Sequence, residues 1–98
     1  DTLSLNSTAE SLNSYATITL KRKSRIVGAL VPDKVFLNGN YVGDIKNGKT
    51  LDIKTTVPDN RIMIIDNDGN QSKEVFVATL KEGEHINVLL NSGKFTQE

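Results

Sequence analysis

In the first half of the chain stands the sequence Val31-Pro32-Asp33-Lys34-Val35-Phe36-Leu37-Asn38-Gly39-Asn40-Tyr41-Val42-Gly43. Its Asn38-Gly39 pair lies between two apolar, β-prone runs, and Asn-Gly in that setting is the strongest short-range signal for a β-hairpin. A type I′ turn requires positive φ at both central residues, which Gly adopts freely and Asn more readily than other residues with a side chain. The sequence therefore predicts two antiparallel strands joined by a two-residue turn.

The chain from Tyr15 onward shows the same kind of pattern. In Ala16-Thr17-Ile18-Thr19-Leu20 the apolar residues alternate with threonine, which is the period of a half-buried strand. Apolar or alternating runs that predict further strands lie at residues 26–30, 35–37, 41–45, 51–55, 61–65, 74–78 and 86–90. Turn residues separate these runs, and no helical period is longer than one turn. We predict an all-β, single-domain antiparallel β-sandwich of about seven short strands.

The domain organisation follows from length and polarity. The 98 residues suffice for one domain with a single core. We expect the β-sandwich over residues 15–93, a polar, flexible N-terminal segment at residues 1–14 and a short C-terminal tail at residues 94–98. An edge strand built on Leu3 and Leu5 is one alternative for the N-terminal segment, and a helical turn that begins at Ser7 or Thr8 is another.

Two further segments lead to specific expectations. Asn47-Gly48 is a second Asn-Gly pair and predicts a second hairpin turn, before the strand at residues 51–55. A loop of more than two residues is expected there, because Lys46 and Lys49 would face each other across a two-residue turn. The run Arg61-Ile62-Met63-Ile64-Ile65 has four apolar residues in succession and no alternation. It therefore predicts a central strand that is covered on both faces.

Composition and charge exclude several classes of function. The chain has no cysteine, which excludes disulfides, a thiol nucleophile, Cys-ligated zinc and iron–sulfur clusters. Twelve basic and twelve acidic residues give a net charge of zero. No global field therefore attracts nucleic acid or an anionic membrane, and such binding requires a local patch. The apolar runs are far shorter than the ~20 residues of a membrane span.

The chain resembles a known family over residues 31–90. Pro32-Asp33 stands where the PEGA-type family of small bacterial β-sandwich domains has Pro-Glu, although the Gly-Ala pair of that signature is missing. Residues 35–43 match the family's strand, Asn-Gly turn and short strand ending in Val-Gly, and residues 57–60 and 80–90 are similar to its later turn and closing strand. This resemblance implies an accessory module of a bacterial surface, envelope or signalling protein. It also implies an extracytoplasmic location, with the cytoplasm as the alternative.

The densest charge on the chain is a basic run. Four cations fall within five residues and are candidates for an anion-binding site: Lys21, Arg22, Lys23 and Arg25. In a strand, alternate residues point to opposite faces, so only about half of them reach one ligand. Lysines that protect an edge strand from unwanted pairing are the other interpretation.

An aromatic pair is the second candidate site. Phe36 and Tyr41 lie opposite each other if the Asn38-Gly39 loop has two residues. Such a cross-strand pair stabilises a hairpin by ~0.2–1 kcal/mol, and an exposed pair is instead a contact surface for sugar or protein.

No catalytic or metal site is expected. His85 is the one histidine, and the sequence supplies no convergent partners for it. Asp66-Asn67-Asp68-Gly69 lacks the oxygen ligands that an EF-hand has at its first and last positions, so it is expected to be a solvated turn.

Together these observations predict a non-catalytic module, without cofactor, that binds a protein or carbohydrate partner. The alternative is a binder of anionic polymers, either nucleic acid or an anionic surface, through the basic run. The expected oligomeric state is a monomer or a weak homo-oligomer.

Overall fold

The structure is a computed structural model that describes residues 12–26, 31–66, 68–72 and 74–98. These residues form eight β-strands in two sheets. The strands are β1 (Ala16–Arg22), β2 (Asp33–Leu37), β3 (Asn40–Ile45), β4 (Thr50–Thr55), β5 (Asp59–Ile65), β6 (Phe76–Thr79), β7 (His85–Asn91) and β8 (Lys94–Gln97). None of the described residues is helical, and so no helix able to cross a membrane occurs among them. The predicted all-β sandwich is confirmed, with eight strands instead of about seven.

The strands are divided equally between the two sheets. Sheet I has the order β4-β1-β7-β8, and sheet II has the order β3-β2-β5-β6. All neighbouring strands are antiparallel except β1 and β7, which run parallel to each other. A parallel pair cannot be joined by a tight turn, and here everything between residues 22 and 85 forms the connection.

The core lies between the inner faces of the two sheets. In β1 the residues Ala16, Ile18 and Leu20 are fully buried, while the threonines between them are half-buried on the outer face. Strands β5 and β7 show the same alternation. The buried apolar side chains are Ala16, Ile18, Leu20, Val35, Leu37, Ile45, Ile53, Ile62, Ile64, Leu80, Ile86, Val88 and Leu90. Each strand thus contributes a face to the core, and the sequence period of two determines which residues form it.

The Asn38-Gly39 turn has the predicted geometry. Both residues have positive φ, 51° and 85°, and Phe36 pairs with Tyr41 across the turn. These are the features of a two-residue type I′ turn, which is therefore confirmed. Farther along the hairpin the register shifts by one residue, so Val42 is the extra residue of a β-bulge.

The Asn38 side chain also connects the hairpin to β5. The Asn38 N–H donates to the Arg61 carbonyl oxygen, and the Arg61 N–H donates to Asn38 Oδ1, both at 2.9 Å. The amide oxygen thus takes the place of a main-chain acceptor and extends the β2–β5 ladder beyond the strand end. Asn38 Nδ2 lies 3.4 Å from Oδ1 of Asn60, so the turn also contacts a buried polar group.

Asn60 holds the connection between the two sheets at the β4–β5 turn. Its side chain is 1% exposed. Its Oδ1 accepts from the Thr55 hydroxyl at 2.7 Å, and its Nδ2 donates to the carbonyl oxygens of Val57 and Pro58 at 3.0 and 3.1 Å. Because a buried amide is costly unless its groups are paired, these bonds explain how a polar side chain lies inside the sandwich.

Arg22 connects the two sheets at the opposite end. It is the last residue of β1, and it is only 5% exposed because the alternation of the strand directs it inward. Its Nε lies 3.4 Å from Asp33 Oδ2, and its Nη1 donates to the carbonyl oxygens of Val31 and Ile45 at 2.9 and 3.1 Å. Burial raises the pKa of the Asp33 carboxyl, and this effect outweighs the opposing attraction of Arg22.

Several local expectations differ from the structure. Asn47-Gly48 closes no hairpin, because it joins β3 of sheet II to β4 of sheet I and only Gly48 has positive φ. The expected C-terminal tail is strand β8, since Ser92 and Gly93 both have positive φ and turn the chain back along β7. The Ser-Gly pair makes the same kind of turn as Asn-Gly, which the sequence analysis did not anticipate.

Other expectations lie wholly or partly outside the described residues. These are the N-terminal segment up to residue 11 and most of the strand expected at residues 26–30, of which Ile26 is 96% exposed and lies in a bend. Leu12 packs against the core, and its N–H donates to the Thr56 carbonyl oxygen at 2.6 Å.

The turn geometry predicts a specific difference between two substitutions at Gly39. An added Cβ there meets no other atom within 4 Å, so any cost arises from the positive φ alone. We expect Gly39→Val to lower the free energy of unfolding by about 1–3 kcal/mol, and Gly39→Asn to lower it much less because Asn tolerates this conformation. Urea unfolding of the two variants measures this difference. Equal midpoints for Gly39→Val and the wild type would contradict the turn.

The buried position of Arg22 leads to a second prediction. Arg22→Met leaves the Asp33 carboxylate without its cation, and we expect the free energy of unfolding to fall by about 3 kcal/mol. This is the lower end of the range for buried pairs, because the Asp33 side chain is 20% exposed. The double variant Arg22→Met/Asp33→Leu removes both charges and is expected to recover much of the loss. A urea midpoint of Arg22→Met equal to that of the wild type would show that the pair contributes nothing.

Candidate functional site

The outer face of sheet II carries a row of apolar side chains. Tyr41 is 55% exposed, and its ring meets that of Phe36 edge to face, with centroids 5.7 Å apart. Met63 pairs with Phe36 on the next strand, and Val75, immediately before β6, lines the same depression as Met63. We call these four residues, which belong to three strands and the segment just before the fourth, the outer-face patch. The predicted pairing of Phe36 with Tyr41 on one face is confirmed.

Met63 reaches this face because β5 alternates after all. Ile62 and Ile64 are buried in the core, whereas Arg61 is exposed and Met63 is half-buried. The predicted central position of this strand is confirmed, because β5 lies between β2 and β6. Its expected cover on both faces is wrong, because among the described residues no third layer packs on sheet II. A continuous apolar run thus leaves a thioether on the surface.

A depression of about 450 Å³ lies beside the patch. It is lined by Asn38, Gly39, Arg61, Met63, Gln71 and Val75. Met63 and Val75 contribute apolar side chains to this lining, while Arg61 and Gln71 contribute polar ones. Concave surfaces that combine an apolar floor with a few polar groups are typical of ligand sites.

The Tyr41 ring is held in a fixed orientation by its hydroxyl group. The Tyr41 O–H donates to Asp44 Oδ1 at 2.7 Å. This hydrogen bond raises the pKa of the Tyr41 hydroxyl, with the nearby negative charge of Asp44 as a lesser cause. The phenol therefore stays neutral, and its ring presents an exposed apolar surface whose polar end is already paired.

The second candidate site is a charged surface at the end of the sandwich near Arg22. The loop between β3 and β4 packs against the residues after β1: Arg25 N–H donates to Asn47 Oδ1 at 2.9 Å, and Arg22 N–H donates to the Lys49 carbonyl oxygen at 2.9 Å. This contact adds two cations to those of the basic run. We call the resulting set of exposed residues the basic corner: Lys21, Lys23, Arg25, Lys46 and Lys49.

The structure divides the predicted basic run. Lys21, Lys23 and Arg25 are exposed, as a binding role requires. Arg22 is instead buried against Asp33, so it belongs to the interior and does not reach a ligand on this surface. Sequence reasoning missed Lys46 and Lys49. The available signal was their position on either side of Asn47-Gly48, in a turn that presents both side chains to solvent.

His85 has partners that the sequence did not reveal. The Thr19 hydroxyl donates to Asp52 Oδ1 at 2.7 Å and lies 2.7 Å from His85 Nε2. Because its one proton is directed to Asp52, the Thr19 oxygen accepts from the N–H of His85. A catalytic triad places the histidine between hydroxyl and carboxylate, whereas here the hydroxyl is in the middle. The three side chains therefore do not have the order of a catalytic triad.

The side chain of Asp66 is engaged in structure. Asp66 Oδ1 accepts the N–H groups of Asp68 and Asn70, both at 2.9 Å, in the turn after β5. Within the described part of the chain, no three His, Asp or Glu side chains are grouped as metal ligands.

Comparison of the chain with protein-family models, with curated proteins and with solved structures gives no match. The resemblance of residues 31–90 to the PEGA-type family therefore stays a prediction. The function is inferred from the outer-face patch and the basic corner.

Proposed function

We propose that this protein is a non-catalytic binding module that holds a protein or carbohydrate partner on the outer-face patch. The observation that carries the proposal is the exposed Tyr41 ring, which continues through Phe36 and Met63 into a depression with polar margins. A rigid aromatic ring loses little conformational freedom when it binds, and it offers a large contact area.

The chemistry of the patch fits both partner classes. A sugar ring stacks on an aromatic face and exchanges hydrogen bonds with amide and guanidinium groups, such as those of Gln71 and Arg61. A protein partner binds by placing an apolar side chain in such a depression, where that side chain acts as the anchor of the interface. The PEGA-type resemblance supports a place for the module on the bacterial cell envelope or in a secreted protein, where either partner is present.

The basic corner supports a second candidate function. It brings five exposed cations from two segments together at one end of a chain whose net charge is zero. Such a concentration of charge attracts anionic polymers, either nucleic acid or an anionic surface, through their phosphate or sulfate groups. None of the five aromatic residues belongs to the corner, so this binding would be electrostatic and without base stacking.

Paired variants separate the two functions. An immobilised oligosaccharide array and a phage-displayed peptide library serve as probes for the patch, and heparin and single-stranded DNA serve for the corner. We expect a ligand from the array or the library to lose at least about tenfold in affinity with Tyr41→Ala, equivalent to ~1.4 kcal/mol. The control Tyr41→Phe keeps the ring and is expected to retain most of the binding.

Salt gives an independent readout. Binding at the patch is expected to change little with ionic strength and to be unaffected by Lys46→Glu/Lys49→Glu. Binding to heparin or DNA at the corner weakens steeply with salt and is lost in that double variant. The first proposal is wrong if neither probe yields a ligand that depends on Tyr41, and the second takes its place if only the salt-dependent binding is found.

A further inference from the structure

Among the residues that the structure describes, no strand pairs with the outer edge of β6, the outermost strand of sheet II. We propose that this edge pairs with β6 of a second copy of the chain, so that two copies of sheet II form one continuous antiparallel sheet about a two-fold axis. This self-association uses the main-chain edge of β6 and does not depend on the function proposed for the outer-face patch.

The hydrogen bonds of β5 show which peptide groups of β6 point outward. Arg61 exchanges hydrogen bonds with Asn38 on the β2 side, so its peptide groups point away from β6. Val77 lies opposite Arg61. Because the peptide groups of Arg61 point away from β6, the two residues form a non-hydrogen-bonded pair, and the N–H and C=O of Val77 point away from β5. The Leu80 N–H confirms this alternation, because it points inward and donates to the Pro58 carbonyl oxygen at 2.8 Å. Val77 and Thr79 therefore direct their peptide groups outward.

The other three sheet edges carry features that oppose pairing. Strand β3 has the bulge at Val42, and β4 carries the charged side chains of Asp52 and Lys54. On β8 the N–H of Phe95 is already paired, since it donates to Glu74 Oε1 at 3.3 Å. Strand β6 has the sequence Phe-Val-Ala-Thr, without charge, proline or bulge. Natural edge strands avoid association by means of such features, so an edge without them is suited to accept a strand.

The strand is complementary to itself in one register. A two-fold axis perpendicular to the sheet keeps the inner faces of both copies on the same side. Because side chains alternate between the faces, each residue must then lie opposite a residue of the same face, which requires the axis to pass through a residue position. With the axis at Val77, the outward peptide groups of the two Val77 residues pair with each other. On the inner face the large Phe76 then lies opposite the small Ala78 of the second copy. On the outer face two β-branched side chains meet, and Val77, which is 64% exposed, becomes covered.

A strand of four residues buries little area, so the association is weak and depends on concentration. Sedimentation velocity of the full chain from about 10 μM to about 1 mM covers the range expected for such contacts. Val77→Pro removes the outward N–H, which makes no hydrogen bond within its own sheet. Val77→Lys keeps the N–H but places two ammonium groups opposite each other across the axis. Val77→Thr is the control, because it keeps the donor and a β-branched side chain.

We expect the wild type and Val77→Thr to self-associate with dissociation constants within about twofold of each other, and the proline and lysine variants to associate at least about tenfold more weakly. Amide hydrogen exchange of the wild type gives a readout that needs no variant. The N–H groups of Val77 and Thr79 are expected to exchange more slowly as concentration rises, which also decides the matter if a variant fails to fold. The proposal is overturned if the wild type is monomeric at about 1 mM, if association survives both Val77→Pro and Val77→Lys, or if other edge amides become protected instead.

Discussion

Two hydrogen bonds between Asn38 and Arg61 determine how the outer face of sheet II is arranged. An asparagine at this turn position meets two requirements at once, because it tolerates positive φ and because its amide oxygen continues the ladder to β5. The turn therefore fixes the register of β2 against both neighbours. As a result Tyr41, Phe36 and Met63 lie side by side, and the turn itself forms one wall of the depression. The arrangement of the candidate site therefore depends on the conformation of this turn as well as on the side chains of the patch.

Charge in the interior has a different role. Arg22 and Asp33 belong to opposite sheets, and the guanidinium also donates hydrogen bonds to Ile45 in sheet II and to Val31 in the segment before it. Apolar side chains of similar size would stabilise this end of the sandwich about as well, because desolvation offsets most of the attraction between buried charges. A directional contact does what an apolar one cannot. It specifies how one sheet is placed on the other at this end of the sandwich, together with the hydrogen bonds between the β3–β4 loop and the end of β1.

The features that followed from sequence are those with a local cause. The Asn38-Gly39 turn depends on two neighbouring residues, and the period of two identifies the buried residues of β1 without reference to any other strand. The remaining features depend on pairing between distant segments. The residues around Arg22 in the sequence do not identify Asp33 as its partner. The basic corner likewise forms because the β3–β4 loop packs on the end of β1. His85 likewise has Thr19 and Asp52 as neighbours through the register of three strands. The prediction that β5 is covered on both faces was wrong for a related reason. Whether another layer packs on the outer face of a strand cannot be inferred from the sequence of that strand alone.

The parallel pairing of β1 with β7 has a consequence for the order of folding. Strand β1 lies near the start of the chain, whereas its central partner spans His85–Asn91. Strands β2, β3, β5 and β6 all fall between residues 33 and 79, so sheet II is complete in the chain before β7 has been made. Closing a loop of this length costs entropy before the contact returns any energy, and such long-range pairings slow folding. On a ribosome β1 therefore has only β4 as a neighbour within its sheet until β7 has emerged.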